Sequence, residues 1–150
     1  MKRFLLLALA AAGLTAWAGL RSESGEQPKA PAEGGKTMFK AVIHINFADA
    51  ERQKHGLKNV ANMLKEIKGA GEIEVVCHGG GIGLVVKDQG QHVGDVERLV
   101  KEGVKFVACE NTMRDKSIPK ENLLPGVVTV PSGAVEVIRK QQDGYGYFKP

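Results

Sequence analysis

From residue 38 onward, apolar positions switch repeatedly between the period of a strand and that of a helix. Residues 40–47 are short and β-branched and predict a buried first strand, with Asp49 placed to cap the helix that follows. Leu57, Val60, Ala61, Leu64 and Ile67 recur at helical spacing until Gly69 and Gly71 stop the pattern. Residues 72–78 predict a second strand that runs into Gly79, Gly80 and Gly81, while residues 82–87 fit a short strand or a helical turn. Val93, Val96, Leu99 and Val100 define a second amphipathic helix closed by Gly103, and residues 104–109 a third strand. Residues 110–122 are polar and partly helical in pattern, residues 126–131 predict a fourth strand, and Ser132 caps a last helix carrying Val135 and Ile138. Strands alternating with helices imply right-handed crossovers. The expected fold is therefore an α/β three-layer sandwich around a mostly parallel sheet, without internal repeats.

The first residues follow another pattern. Lys2 and Arg3 precede an apolar run over residues 4–20, and Ala16-Trp17-Ala18 fits an A-x-A cleavage site, so residues 1–18 read as a signal peptide. The competing expectation is an uncleaved anchor to about residue 20, close to the roughly 20 apolar residues of a membrane span. Both readings put the body outside the cytoplasm, in the periplasm or tethered to the inner membrane facing it. Residues 19–37 are rich in Ser, Glu, Gly, Pro and Lys without apolar period and read as a flexible linker. The folded domain is expected over residues 38–150.

Composition narrows the function classes. The 150 residues are 43% hydrophobic and 25% charged, the balance of one globular domain. The formal charge of +4 is modest and aromatic residues are only 5%, so stacking on bases is poorly supplied and no nucleic-acid partner is expected.

In a parallel α/β sheet, ligands gather at the carboxyl ends of the strands. The pattern places His44 and Asn46 there on the first strand, Cys77, His78, Gly79 and Gly80 on the second, and Cys109 and Asn111 on the third. Both cysteines of the chain fall on this edge. A cysteine between a strand end and a helix start faces backbone N–H groups that favour its thiolate, which makes Cys109 the candidate nucleophile. The glycine run lacks a Walker Lys-Ser/Thr and fits a tight turn or close backbone approach better than a phosphate cradle. Cys77, His78, Cys109 and Met113 are soft ligand types, but their spacing matches no metal motif, and neither metal nor cofactor is expected. His55 and His92 read as surface residues, and Tyr145 and Tyr147 as packing residues or part of a subunit contact. In a flavodoxin-like strand order the first strand would lie between the second and third, separating Cys77 from Cys109 by about two strand spacings and favouring free thiols or a reversible pair.

The run from Lys105 through Cys109-Glu110-Asn111-Thr112-Met113, the segments Leu123-Leu124-Pro125-Gly126-Val127 and Val130-Pro131-Ser132-Gly133, and the ending Gln142-Asp143-Gly144-Tyr145-Gly146-Tyr147 resemble the DsrE/DsrF-like family. Cys77-His78-Gly79-Gly80-Gly81-Ile82-Gly83 also fits the glycine-bearing end of that family's second strand. The resemblance implies an α/β sandwich, a trimer or hexamer, and a relay in which sulfur travels as a cysteine persulfide. By position it makes Cys109 the active cysteine. Two functions from different classes follow. One is a sulfurtransferase or sulfur carrier that exchanges sulfane sulfur with a donor and a thiol acceptor. The other is a non-catalytic, oligomeric module that presents His44, Asn46, His78 and Asn111 to a small ligand or partner.

Overall fold

The computed structural model describes residues 38–150; the expected signal, anchor and linker lie outside the described residues. Five parallel strands form one sheet: β1 (Phe39–Ile45), β2 (Gly71–Cys77), β3 (Lys105–Cys109), β4 (Val128–Val130) and β5 (Gly146–Phe148), in the order β4-β3-β2-β1-β5. The helices are α1 (Ala50–Glu66), α2 (Val93–Lys101), α3 (Glu110–Asp115) and α4 (Gly133–Gln142).

The order explains the layers. From β1 through β4 each crossover moves the chain one strand in the same direction, so a constant right hand keeps α1, α2 and α3 on one face. The connection from β4 back to β5 runs the other way across the sheet, and the same hand puts α4 on the opposite face. Leu57, Val60, Val96, Leu99 and Met113 close over Ile43, Ile45, Val75, Phe106 and Ala108 on the first face. On the second, Val137 and Tyr145 cover Val42, Val76 and Val107. That thinner layer is pinned by charge: the buried carboxylate of Glu74 lies 2.9 Å from Lys105 Nζ and 3.0 Å from Lys140 Nζ on α4. A buried carboxylate is tolerated because one of its oxygens is paired with two cations.

Local signals act as expected at both caps. The Asp49 side chain accepts a hydrogen bond from Arg52 N–H at 2.7 Å, and Ser132 accepts one from Val135 N–H at 3.5 Å. Residues 82–87 mostly take the helical alternative, since a 3₁₀ helix spans Gly79–Val85. Here glycine is required by space: a β-carbon on Gly81 would sit 2.1 Å from the Ile45 carbonyl oxygen. The glycine run is thus a close backbone approach between β2 and the end of β1.

Two expectations are corrected. The flavodoxin-like order fails, because β2, not β1, lies between its two long neighbours, and Cys77 pairs in register with Ala108. The fifth strand was not expected; its three residues are too few to show a period, and it forms by pairing along the exposed edge of β1.

Candidate active site

Cys109 ends β3 and is at once the N-cap of α3. From this point the chain turns toward the α1 and α2 face, whereas from the neighbouring strand β4 it turns toward the α4 face. The carboxyl ends of β3 and β4 therefore form the kind of junction at which such sheets gather ligands. Across it, Asn111 N–H donates to the Pro131 carbonyl at 3.3 Å, which holds the start of α3 against the loop leading into α4.

The sulfur of Cys109 sits where backbone donors converge, and the residue is only 4% exposed. Burial pushes its thiol up, but the N–H groups of Gly133, Thr112 and Asn111 and the Thr112 hydroxyl favour the thiolate and bring the net pKa below the ordinary thiol value. Gly133 is the first residue of the ten-residue helix α4, so its N–H also brings the positive end of that helix dipole to the sulfur. Thr112 is buried and has two contacts: its Oγ1 also accepts Gly79 N–H at 3.0 Å, tying the glycine turn after β2 to the first turn of α3.

Cys77 is on the same edge but not in the same site. Register pairs it with Ala108, and both point into the core under α1 and α2, while Cys109, one residue further on, points to the other face. Complete burial among aliphatic side chains pushes the Cys77 thiol up to about 12. Both cysteines are free. Met113 also packs into that first core, so it and Cys77 do not converge with His78 and Cys109.

One step beyond the Cys77 and Ala108 pair, His78 stands opposite Cys109 on the same face. A β-carbon on Gly133 would lie 3.0 Å from the β-carbon of His78 and 3.2 Å from that of Cys109, so both side chains pack against the one glycine. The Nε2 atoms of His44 and His78 are 2.6 Å apart, and the Tyr147 hydroxyl lies 2.8 Å from His44 Nδ1. Burial, then His78, then Lys149 lower the His44 pKa to about 4; burial followed by Lys149 lowers that of His78.

The remaining candidates contribute through their backbone. Gly79 supplies its N–H to Thr112, and Gly80 lies against the backbone of Asn46, where a β-carbon would meet the Asn46 carbonyl oxygen at 3.2 Å. The Asn111 side chain is turned outward and accepts a hydrogen bond from Arg114. His92 is half-buried, with Nε2 2.9 Å from the Ala50 carbonyl oxygen. Sequence reasoning missed Thr112, Gly133 and the position of Tyr147. The first two lie within the quoted runs Cys109 to Met113 and Val130 to Gly133, where a hydroxyl three residues after the cysteine and a glycine after a cap were the available signals. Tyr147 depends on the unexpected fifth strand.

The model of the DsrE/DsrF-like family matches residues 38–150. The chain belongs to the DsrE/DsrF-like family. Among solved structures, it is similar to the protein of unknown function MTH1491 from Methanobacterium thermoautotrophicum, at TM-score 0.71 and 34% identity, over 75% of this chain and 99% of that one. It also shares its fold with the ychN protein from E. coli, at TM-score 0.63 and 18% identity, over 75% of this chain and 100% of that one. No match was found among curated proteins.

Proposed function

We propose that this DsrE/DsrF-like protein is a sulfur carrier that holds sulfane sulfur as a persulfide on Cys109. The observation that carries the reading is the convergence of Gly133, Thr112 and Asn111 N–H groups on one sulfur whose thiol is favoured as thiolate. A thiolate is the attacking form in sulfur exchange. The Cys109 thiolate attacks the outer sulfur of a donor persulfide R–S–SH, a new S–S bond forms, the donor's own S–S bond breaks, and R–S⁻ leaves with the electron pair and takes up a proton. Attack of an acceptor thiolate on the outer sulfur of Cys109-S-SH reverses the sequence. The exchange consumes no oxidant. The same N–H donors that hold the thiolate suit the persulfide anion, which carries its charge one atom further out.

The donor and acceptor are proposed to be proteins or small sulfur compounds outside the cytoplasm, in keeping with the leader read in residues 1–18. The chain is proposed to act as a trimer or a multiple of it. Val135 and Ile138, on the outer side of α4, are 51% and 56% exposed, and Val128 on the edge strand β4 is 42% exposed, an apolar surface suited to a subunit contact.

One observation favours the second reading, a non-catalytic binding module: at 4% exposure, Cys109 offers little surface to a bulky donor. Peptide mass mapping after exposure to polysulfide separates the two. A gain of one sulfur on the Cys109 peptide, released to a thiol acceptor, supports the carrier; no gain leaves the binding module.

A further inference from the structure

We propose that Cys109 is loaded by an inorganic donor, a hydropolysulfide anion, and not by a persulfide borne on a protein or a peptide thiol. The proposal rests on the reading of Cys109 as a sulfur carrier and names the chemical class that supplies the sulfur.

Cys109 is only 4% exposed, and its surroundings are tied to one another. It packs with His78 against Gly133, where a β-carbon would lie 3.2 Å from the Cys109 β-carbon and 3.0 Å from that of His78. The 3.3 Å hydrogen bond from Asn111 N–H to the Pro131 carbonyl fastens the start of α3 to the loop before α4. Thr112 is buried and accepts Gly79 N–H at 3.0 Å. Exchange at sulfur is an in-line displacement, so the attacking, transferred and leaving sulfurs stand in a row. Whatever is attached to the leaving sulfur has to follow it into this confined approach. In a hydropolysulfide that is an unbranched chain one atom wide. In a protein persulfide it is a methylene, an α-carbon and the main chain on both sides of it.

Leaving-group chemistry points the same way. The partners of the sulfur are the N–H groups of Gly133, Thr112 and Asn111 and the Thr112 hydroxyl. Amides and alcohols steady an anion without surrendering a proton near neutral pH. A group that departs as an anion is therefore favoured, and exchange is faster the lower the pKa of the leaving thiol. A polysulfide chain spreads its charge over several sulfurs and leaves as a weaker base than an alkyl thiolate. The ten-residue helix α4 brings the positive end of its dipole to Gly133, which offsets the repulsion between the thiolate and an incoming anion. The carboxylate of Glu110, the next residue in the chain, is taken up by the Thr129 hydroxyl at 2.7 Å and Lys120 Nζ at 3.1 Å.

The step balances without an oxidant. Cys109-S⁻ attacks the protonated end of HS–Sₙ⁻, a new S–S bond forms, the bond to the rest of the chain breaks, and Sₙ²⁻ leaves with the electron pair. The products are Cys109-S-SH and a chain one sulfur shorter. The proton on the transferred sulfur then passes to the departing chain or to water, giving the persulfide anion.

Donor size is the test. The full-length protein, folded and unfolded in guanidinium chloride, is exposed to sodium tetrasulfide, glutathione persulfide or a persulfidated protein, and sulfur on the Cys109 peptide is followed by mass. The ratio of folded to unfolded rate removes the intrinsic reactivity of each donor, and glutathione persulfide, itself an anion, separates size from charge. The ratio for tetrasulfide is expected to exceed that for glutathione persulfide by about tenfold or more, with the protein persulfide slower still. Equal ratios for all donors, or a protein persulfide that loads folded Cys109 as readily as tetrasulfide, would overturn the proposal and leave the carrier standing. If no donor loads folded Cys109 although iodoacetamide alkylates it, the carrier reading itself falls, and this proposal with it.

Discussion

Cys77 and Cys109 end adjacent parallel strands, yet they open onto opposite faces of the sheet, because Cys77 pairs with Ala108 and Cys109 lies one residue past that pair. A single step of the pleat separates a thiol sealed in a core from one held by backbone donors. The thiols should therefore differ in chemistry far more than their shared edge suggests. Iodoacetamide at neutral pH is expected to modify Cys109 in the folded protein and to leave Cys77 unmodified until denaturant is added, with the pH midpoint of Cys109 alkylation below that of an ordinary thiol. Equal rates at the two positions in the folded state would contradict this.

Thr112 joins two functions in one hydroxyl. Thr112→Val removes a donor to the sulfur and the acceptor of Gly79 N–H, leaving a backbone group unpaired at a cost of about 1–3 kcal/mol. The expected result is a higher alkylation midpoint for Cys109 together with a lower melting temperature. Thr112→Ser keeps both contacts and is expected to restore the midpoint.

Gly133 is narrow for a reason that concerns the site. In Gly133→Ala the new β-carbon would meet His78 and Cys109 at 3.0 and 3.2 Å, so one of them must move, at a cost of about 1–3 kcal/mol. Slower alkylation of Cys109 is expected. An alanine variant with wild-type reactivity and melting temperature would show that the packing around Gly133 has slack.

The histidine pair should leave a mark on stability. The His44 pKa is about 4 in the folded protein against 6.5 for the free group, and that of His78 is lowered too, so the unfolded chain binds more protons across this interval. Stability contributed by the neutral rings is then fully present above about 6.5 and is lost as the pH falls toward 4. Urea titrations are expected to show the midpoint falling over that range in the wild type and falling less in His44→Gln.

Much of this site was legible in the sequence because its cysteine stands where a strand pattern meets a helical one. The periods placed Cys109, His78 and His44 on one edge, and Asp49 and Ser132 announced their helices through cap chemistry that acts within three residues. Strand order was not legible, since it depends on which crossovers pass over which strands, and the flavodoxin-like expectation put β1 between β2 and β3. The error mattered for the cysteines: adjacency brings Cys77 close to Cys109 along the sheet, and only the pleat keeps them apart. Tyr147 reaches His44 because β5 pairs with β1, a contact 103 residues apart in sequence for which a three-residue strand gives no warning. Thr112 and Gly133 were hidden by ordinariness, because a hydroxyl and a glycine acquire their roles only from what the fold sets beside them.

Subunit assembly tests the use of the α4 surface. Light scattering of the purified protein is expected to give a trimer or a multiple of it, and Ile138→Glu, at an exposed apolar position, is expected to shift the mass toward the monomer without a large change in melting temperature. A wild-type monomer at micromolar concentration would contradict the assembly.

The most direct measurement is the mass of the Cys109 peptide after the protein is exposed to polysulfide, washed, and then offered a thiol acceptor. The expected result is one added sulfur on that peptide, its loss on transfer to the acceptor, and no addition to a folded Cys109→Ser variant. Sulfur found on Cys77 alone, or on neither cysteine, would contradict the carrier.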